Sequence, residues 1–183
     1  MVSHPFRNLR GMDGAPSGNG GSYLHATKWH RMFLIPDFWH TTFEVVPIPL
    51  AKGSTAGAFS FATRDGCPEN NICSFVVVGG DFLKPNERNG TAAYGSVSNR
   101  SQVPNSFTRS DTPPHGYRSS VQWSEALKLW ITVGTNGSDI SRDDGKTWQP
   151  LDDGNWNALS LPFVVGPNGR IARINPAALP AAK

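Results

Sequence analysis

The sequence has no long apolar run and no run of a single charge. No stretch of its 183 residues approaches the roughly 18 uninterrupted apolar residues that a membrane-spanning helix needs. The net charge of +3 is spread along the chain without a lysine or arginine cluster, which argues against the basic patch that nucleic-acid binding requires. We therefore expect neither a membrane span nor a nucleic-acid partner.

Cysteine is scarce. The two cysteines, Cys67 and Cys73, lie close together in CPENNIC. This spacing permits a disulfide and equally suits two free thiols, because the redox compartment decides between them. The N-terminal residues lack the apolar core of a signal peptide, so the residues by themselves do not identify the compartment.

Glycine and proline are abundant, at 19 and 15 residues. This composition suits many short strands joined by tight turns and is incompatible with long helices. The sequence therefore predicts an all-β protein with a flexible, glycine-rich arm over residues 1–22, a folded region over 23–176 and a tail over 177–183. Early strands are predicted at residues 31–35 and 41–46.

A phrase of strand, short turn, strand and glycine recurs three times. The second strand of each unit reads SFVVVGGD, LWITVGTNG or PFVVGPNG. Such internal repeats are typical of propellers, and we predict about three antiparallel four-stranded blades, in an incomplete propeller. One blade is expected at 119–123, 129–133, 138–141 and 147–151, and a last unit without an outer strand at 157–161, 163–165 and 170–174. The segment GSVSNRSQVPNS is interpreted as a long surface loop.

Three dipeptides indicate hairpin turns: Asn136-Gly137, Asp144-Gly145 and Asn168-Gly169. They tolerate the positive φ that both central positions of a type I′ turn adopt. The second dipeptide lies within SRDDGKTW, which fits the pattern S-x-D-x-G-x-T-W at every defined position. An aspartate there can accept bonds from turn amides, the glycine can adopt positive φ, and Ser141, Asp143, Gly145, Thr147 and Trp148 form the motif. Trp148 is expected to pack into neighbouring strands.

This motif resembles an Asp box, the bacterial neuraminidase repeat found in sialidases and in propellers similar to the photosystem II stability and assembly factor. The resemblance covers roughly residues 56–174 and suggests the C-terminal blades of such a propeller. It implies that the Asp box joins the third and fourth strands of a blade, lies away from the ligand face and has a structural role. It also implies a secreted or periplasmic protein.

A catalytic set is not defined by the sequence. By resemblance, a retaining sialidase needs an arginine cluster, a tyrosine–glutamate pair and an aspartate. The nearest candidates are Arg118, Tyr117 and Glu125, although a loop arginine beside a packed tyrosine explains the first two as well. Arginine is the right cation for bidentate binding of a carboxylate, whereas glycoside hydrolysis usually requires two carboxylates at a defined separation.

Metal and cofactor sites are not predicted. His25, His30 and His40 share one aromatic segment, but no cysteine or acidic residue stands at a familiar zinc spacing. No serine has the context of a nucleophile elbow.

The sequence therefore predicts a non-catalytic propeller-type module that binds or scaffolds a protein or glycan partner. The alternative is a fragment of a sialidase-like glycoside hydrolase acting on glycans, and a third interpretation is a truncated homologue without an independent role. Exposed blade edges in an incomplete ring also predict self-association.

Overall fold

The computed structural model describes residues 23–27, 31–35, 44–64, 72–98 and 106–181, and at 23–27, 31–35, 44, 72 and 98 it describes the backbone alone. Within these residues the regular structure consists of β-strands and two short 3-10 helices, at Pro167–Gly169 and Pro176–Ala178. The predicted all-β class is confirmed. The predicted arm over residues 1–22 lies outside the described residues.

The strands form four antiparallel sheets, each a meander in chain order. The first sheet holds β1 (Tyr23–Thr27), β2 (Arg31–Ile35) and β3 (Glu44–Pro47), and the second holds β4 (Ala56–Thr63), β5 (Ile72–Asp81), β6 (Ala92–Ser98) and β7 (Thr108–Arg109). The third holds β8 (Ser120–Ser124), β9 (Leu129–Gly134), β10 (Gly137–Ser141) and β11 (Gln149–Asp152). The fourth holds β12 (Ala158–Ser160), β13 (Phe163–Val165) and β14 (Ile171–Arg173).

The predicted number of sheets and of strands in each is only partly right. The described residues contain four sheets rather than about three, and two of them have three strands. Strand β1 was not expected, and residues 95–98, assigned to a surface loop, extend β6 because they pair with β5 from Ser74 to Ile72 and at Phe75. The strands of the third and fourth sheets lie within about two residues of their predicted bounds.

Three apolar cores lie between successive sheets. The first core joins Val46 beside the first sheet to the Phe75 and Val77 face of β5. The second core joins the opposite face of β5, with Val76 and Val78, to the third sheet. Strand β5 therefore reads as a continuous apolar run because it is buried on both faces.

The third core lies between the third and fourth sheets. Leu129, Ile131 and Val133 of β9 pack there against Leu159 and Val164. The alternate residue Trp130 points into the second core, so the third sheet, like the second, is covered on both faces.

The first strands of the four sheets lie beside one another in chain order. Strand β1 contacts β4, β4 contacts β8, and β8 contacts β12. The amide of Val121 donates to the Ser60 hydroxyl at 3.2 Å, and the amide of Leu161 donates to the Gln122 side-chain oxygen at 2.9 Å. Each sheet therefore meets the next through its first strand as well as through its face.

Two of the three predicted turns have the expected backbone. Asp144 and Gly145, and likewise Asn168 and Gly169, have positive φ at both positions. The turn at Asn136 is different, because Gly134 pairs with Gly137 and the two-residue loop is therefore 135–136. Gly137 alone has positive φ there, as the first residue of β10.

Candidate functional site

The Asp-box-like segment forms the hairpin that joins β10 to β11. The Asp143 carboxylate accepts the Thr147 amide at 2.9 Å and the Thr147 hydroxyl at 2.5 Å. Ser141 donates to the same carboxylate at 2.8 Å while its hydroxyl accepts the Gly145 amide at 2.9 Å. Side chains of the motif therefore satisfy the backbone groups of the turn that carries them.

Gly145 and Trp148 connect this hairpin to the second sheet. Gly145 has a φ of 83°, and a Cβ there would lie 2.8 Å from Val76 of the neighbouring sheet. Trp148 is 3% exposed in the second core, and its indole N–H donates to the Gly145 carbonyl at 3.1 Å. The expected burial of Trp148 is observed, because the hairpin folds back onto the second sheet.

Asp143 is held as a carboxylate by its donors. Partial burial acts to raise its pKa, but the hydrogen bonds from the Thr147 hydroxyl and amide and from Ser141 outweigh burial and lower the pKa below its ordinary value. A lowered folded-state pKa stabilises the fold above the ordinary carboxyl pKa, and that contribution is lost as the pH falls through the folded-state value.

We expect Asp143→Ala to lower the free energy of unfolding by about 1–2 kcal/mol at neutral pH, as for other side chains that cap backbone amides. Urea denaturation followed by tryptophan fluorescence measures this loss. The gap between parent and variant should narrow as the pH falls below the ordinary carboxyl range. Asp153→Ala, at a side chain that is almost fully exposed, is the matched control and should change stability by less than about 0.5 kcal/mol. Equal effects for the two variants would contradict the structural role of Asp143.

Arg118 lies at the opposite end of the third sheet from this hairpin. It precedes β8, and its side chain is 0% exposed. Its Nε and one terminal nitrogen donate to Asp139 of β10 at 2.7 and 2.5 Å, and the other terminal nitrogen donates to the Tyr117 carbonyl and the Asn136 side-chain oxygen, both at 2.7 Å. Burial lowers the pKa of Arg118, and the adjacent Asp139 carboxylate opposes that shift. The guanidinium is therefore occupied by the protein's own acceptors.

His115 and Asn136 complete this buried cluster. The His115 Nδ1 lies 2.8 Å from Asp139 and 2.9 Å from Arg118, and its Nε2 lies 2.9 Å from the Asn136 carbonyl. Gly137 makes room for the ring, since a Cβ there would lie 2.6 Å from the His115 Nε2. Sequence reasoning missed Asp139, His115 and Asn136. One signal was available, because an aspartate in the middle of the buried strand GSDIS requires a buried partner.

Tyr117 and Glu125 are not brought together with the Arg118 guanidinium. Tyr117 is buried with its ring 5.0 Å from that of Phe59 in an edge-on contact, and burial raises the pKa of its hydroxyl to about 12. Glu125 follows the end of β8 and is exposed, forming an ion pair with Lys128 and accepting the Trp123 indole N–H at 2.8 Å. Strand β8 has five residues, and at about 3.3 Å per residue it holds Arg118 and Glu125 roughly 16 Å apart or more.

Two concave surfaces meet at Trp123, at the hairpin end of the third sheet. A groove of about 420 Å³ between the third and fourth sheets has a largely apolar lining formed by Trp123, Ser124, Glu125, Ala126, Leu127, Leu161, Pro162, Arg173, Ile174 and Pro176. A more polar cavity of about 340 Å³ is lined by Ala62, Thr63, Gln122, Trp123, Ser160 and Leu161. Both volumes are within the range of ligand pockets.

Other predictions concern metals, the disulfide and membranes. Among the described residues no group of three His, Cys, Asp or Glu side chains could hold a metal ion. Of His25 only the backbone is described, and His30 and His40 lie outside the described residues. Cys73 packs beside the first core and is not a free thiol, whereas Cys67 lies outside the described residues, so their pairing stays a prediction. In the part of the chain that the structure describes, no helix has the length and apolarity to cross a membrane.

Comparison with known proteins adds no relative. The chain matches no family model, no curated protein and no solved structure.

Proposed function

We propose that this chain is a non-catalytic β-propeller-type module of the Asp-box kind, which binds or scaffolds a partner. The observation that carries the proposal is the internal use of Arg118. Its guanidinium is buried against Asp139 and the Asn136 side chain, so it is not available to bind a substrate carboxylate. A cation placed in this way holds strands β8 and β10 in register rather than recognising a ligand.

The arrangement of the sheets supports the propeller part of the proposal. In a propeller, four-stranded meanders follow one another around an axis. Here the first strands of successive sheets are neighbours, and each inner sheet is covered on both faces by the sheets before and after it. The hairpin with the Asp-box pattern joins the third and fourth strands of the third sheet, which is the position that the resemblance implies.

The groove beside Trp123 provides a concave surface for a partner. It combines apolar residues such as Leu127 and Ile174 with one acidic and one basic side chain, Glu125 and Arg173. The mixture of an apolar lining with a few polar groups is typical of binding sites. No feature of the groove requires a reaction.

A turnover assay tests the absence of sialidase activity. The purified chain should release no fluorophore from a fluorogenic sialoside above the buffer rate, because the Tyr117 hydroxyl is buried with a raised pKa and Glu125 lies at the other end of β8. An authentic sialidase is the positive control. Turnover that is lost in Tyr117→Phe would contradict the proposal and favour the alternative, a fragment of a sialidase-like glycoside hydrolase.

A further inference from the structure

The four sheets leave two faces uncovered, one at each end of the series. The second and third sheets bury both faces in the cores described above. The fourth sheet buries only the face that carries Leu159 and Val164. Its other face exposes Phe163 and Val165, with Ile171 68% exposed.

These exposed residues form one apolar patch. Val165 pairs with Ile171 across β13 and β14, and residues directly opposite on neighbouring strands share a face. Phe163, two residues from Val165 on β13, lies on the same face because side chains alternate along a strand. Large apolar side chains grouped in this way mark an interaction surface.

The first sheet carries the matching uncovered face. Val46 of β3 is buried in the first core, whereas its neighbour Val45 is 40% exposed. Since alternate residues point to opposite faces, Val45 marks the face that is turned away from the second sheet. Both end faces are thus exposed in one chain, so the fourth sheet does not cover the first within that chain.

We infer that a second copy of this chain covers both faces. The fourth sheet of one copy packs against the first sheet of its partner, and the partner's fourth sheet packs against the first sheet of the first copy. This inference rests on the propeller-type arrangement proposed above. The occupant is a second copy because each uncovered face is the repeat equivalent of a face that another sheet of this chain already covers.

The number of sheets fits this pairing. Propellers have about 4–8 blades, and two copies of four sheets complete a ring of eight. A twofold pair uses both uncovered faces of each copy and leaves none for further growth, as closed symmetric assemblies require.

The mass of the full chain in solution tests the inference. Size-exclusion chromatography with multi-angle light scattering, over a hundredfold range of concentration, should give a plateau at twice the chain mass. A folded chain that keeps the mass of one copy throughout would overturn the inference, and so would a mass that grows past two copies. The fluorogenic sialoside assay tests the proposed function separately, because its outcome does not depend on the mass.

Two variants place a charge on each uncovered face. Ile171→Glu and Val45→Glu should each raise the concentration of half-dissociation by about thirtyfold or more, the scale of an interface hot spot. Leu83→Glu is the matched control, because Leu83 is also 68% exposed but lies in the loop between β5 and β6. It should leave the mass unchanged, and thermal denaturation should show that all three variants are folded.

Mixing the two variants tests which faces meet. In a pair of unlike variants, one of the two contacts joins an unmodified fourth sheet to an unmodified first sheet, so the mixture should pair more tightly than either variant alone. If the fourth sheets of two copies packed against each other instead, Val45→Glu would have no effect and mixing would restore nothing. That result would overturn the inference.

Discussion

Replacing Arg118 with alanine should lower the free energy of unfolding by about 3–5 kcal/mol, the usual loss when one partner of a buried ion pair is removed. Asp139 is fully buried and would keep its charge without the two N–H donors that now reach it. Asn136 would lose the donor to its side-chain oxygen as well. Urea denaturation at neutral pH measures this change.

Two further variants separate the buried pair from a surface pair. Arg118→Met combined with Asp139→Leu should recover a large part of the loss, because apolar side chains can replace a buried pair with little cost. Glu125→Ala removes the exposed partner of Lys128 and should cost at most about 1 kcal/mol. If Arg118→Ala cost no more than Glu125→Ala, the structural role of Arg118 would be refuted and a substrate-binding role would regain support.

Replacing Trp148 with alanine should also cost about 3–5 kcal/mol, the range for a buried large aromatic side chain. The ring fills the second core between the second and third sheets, so its loss leaves a cavity at the contact of two sheets. The indole also donates to the Gly145 carbonyl, and the Ser110 hydroxyl lies within 3.3 Å of it. Thermal or urea denaturation, followed by far-ultraviolet circular dichroism, measures the loss.

The controls for Trp148 vary burial and hydrogen bonding. Phe82→Ala removes an aromatic ring that is largely exposed and should cost less than about 1 kcal/mol. Trp148→Phe keeps most of the apolar ring but removes the N–H donor, so we expect an intermediate loss. A change within about 0.5 kcal/mol for Trp148→Ala would place this side chain outside the core and would undo the packing of the hairpin onto the second sheet.

The sequence predicted the features that depend on neighbouring residues. The turn at Asp144 and Gly145 forms because both residues tolerate positive φ, and Asp143 can reach Thr147 without any distant partner. The apolar runs of β5 and β9 predicted buried strands because the alternating residues on both faces are apolar. Local chemistry of this kind needs no knowledge of the rest of the fold.

The sequence did not predict the contacts that depend on register between distant segments. Arg118 meets Asp139 only because β9 lies between β8 and β10 and aligns them. In the sequence, Arg118 therefore had the same status as a free cation, and the tertiary structure decided that it is an internal one. Strand β1 was missed for a related reason, since its pairing with β2 defines it more clearly than its composition does.

By itself, then, the sequence determined the all-β class, the hairpin at residues 141–148 and most strands of the last two sheets, because these follow from backbone preferences and apolar periodicity. The tertiary structure alone decided that there are four sheets, that Arg118 is buried against Asp139, and that the faces of Val45 and Ile171 are uncovered. Burial is a property of what lies opposite a residue in space, and a residue's neighbours in the chain do not specify it.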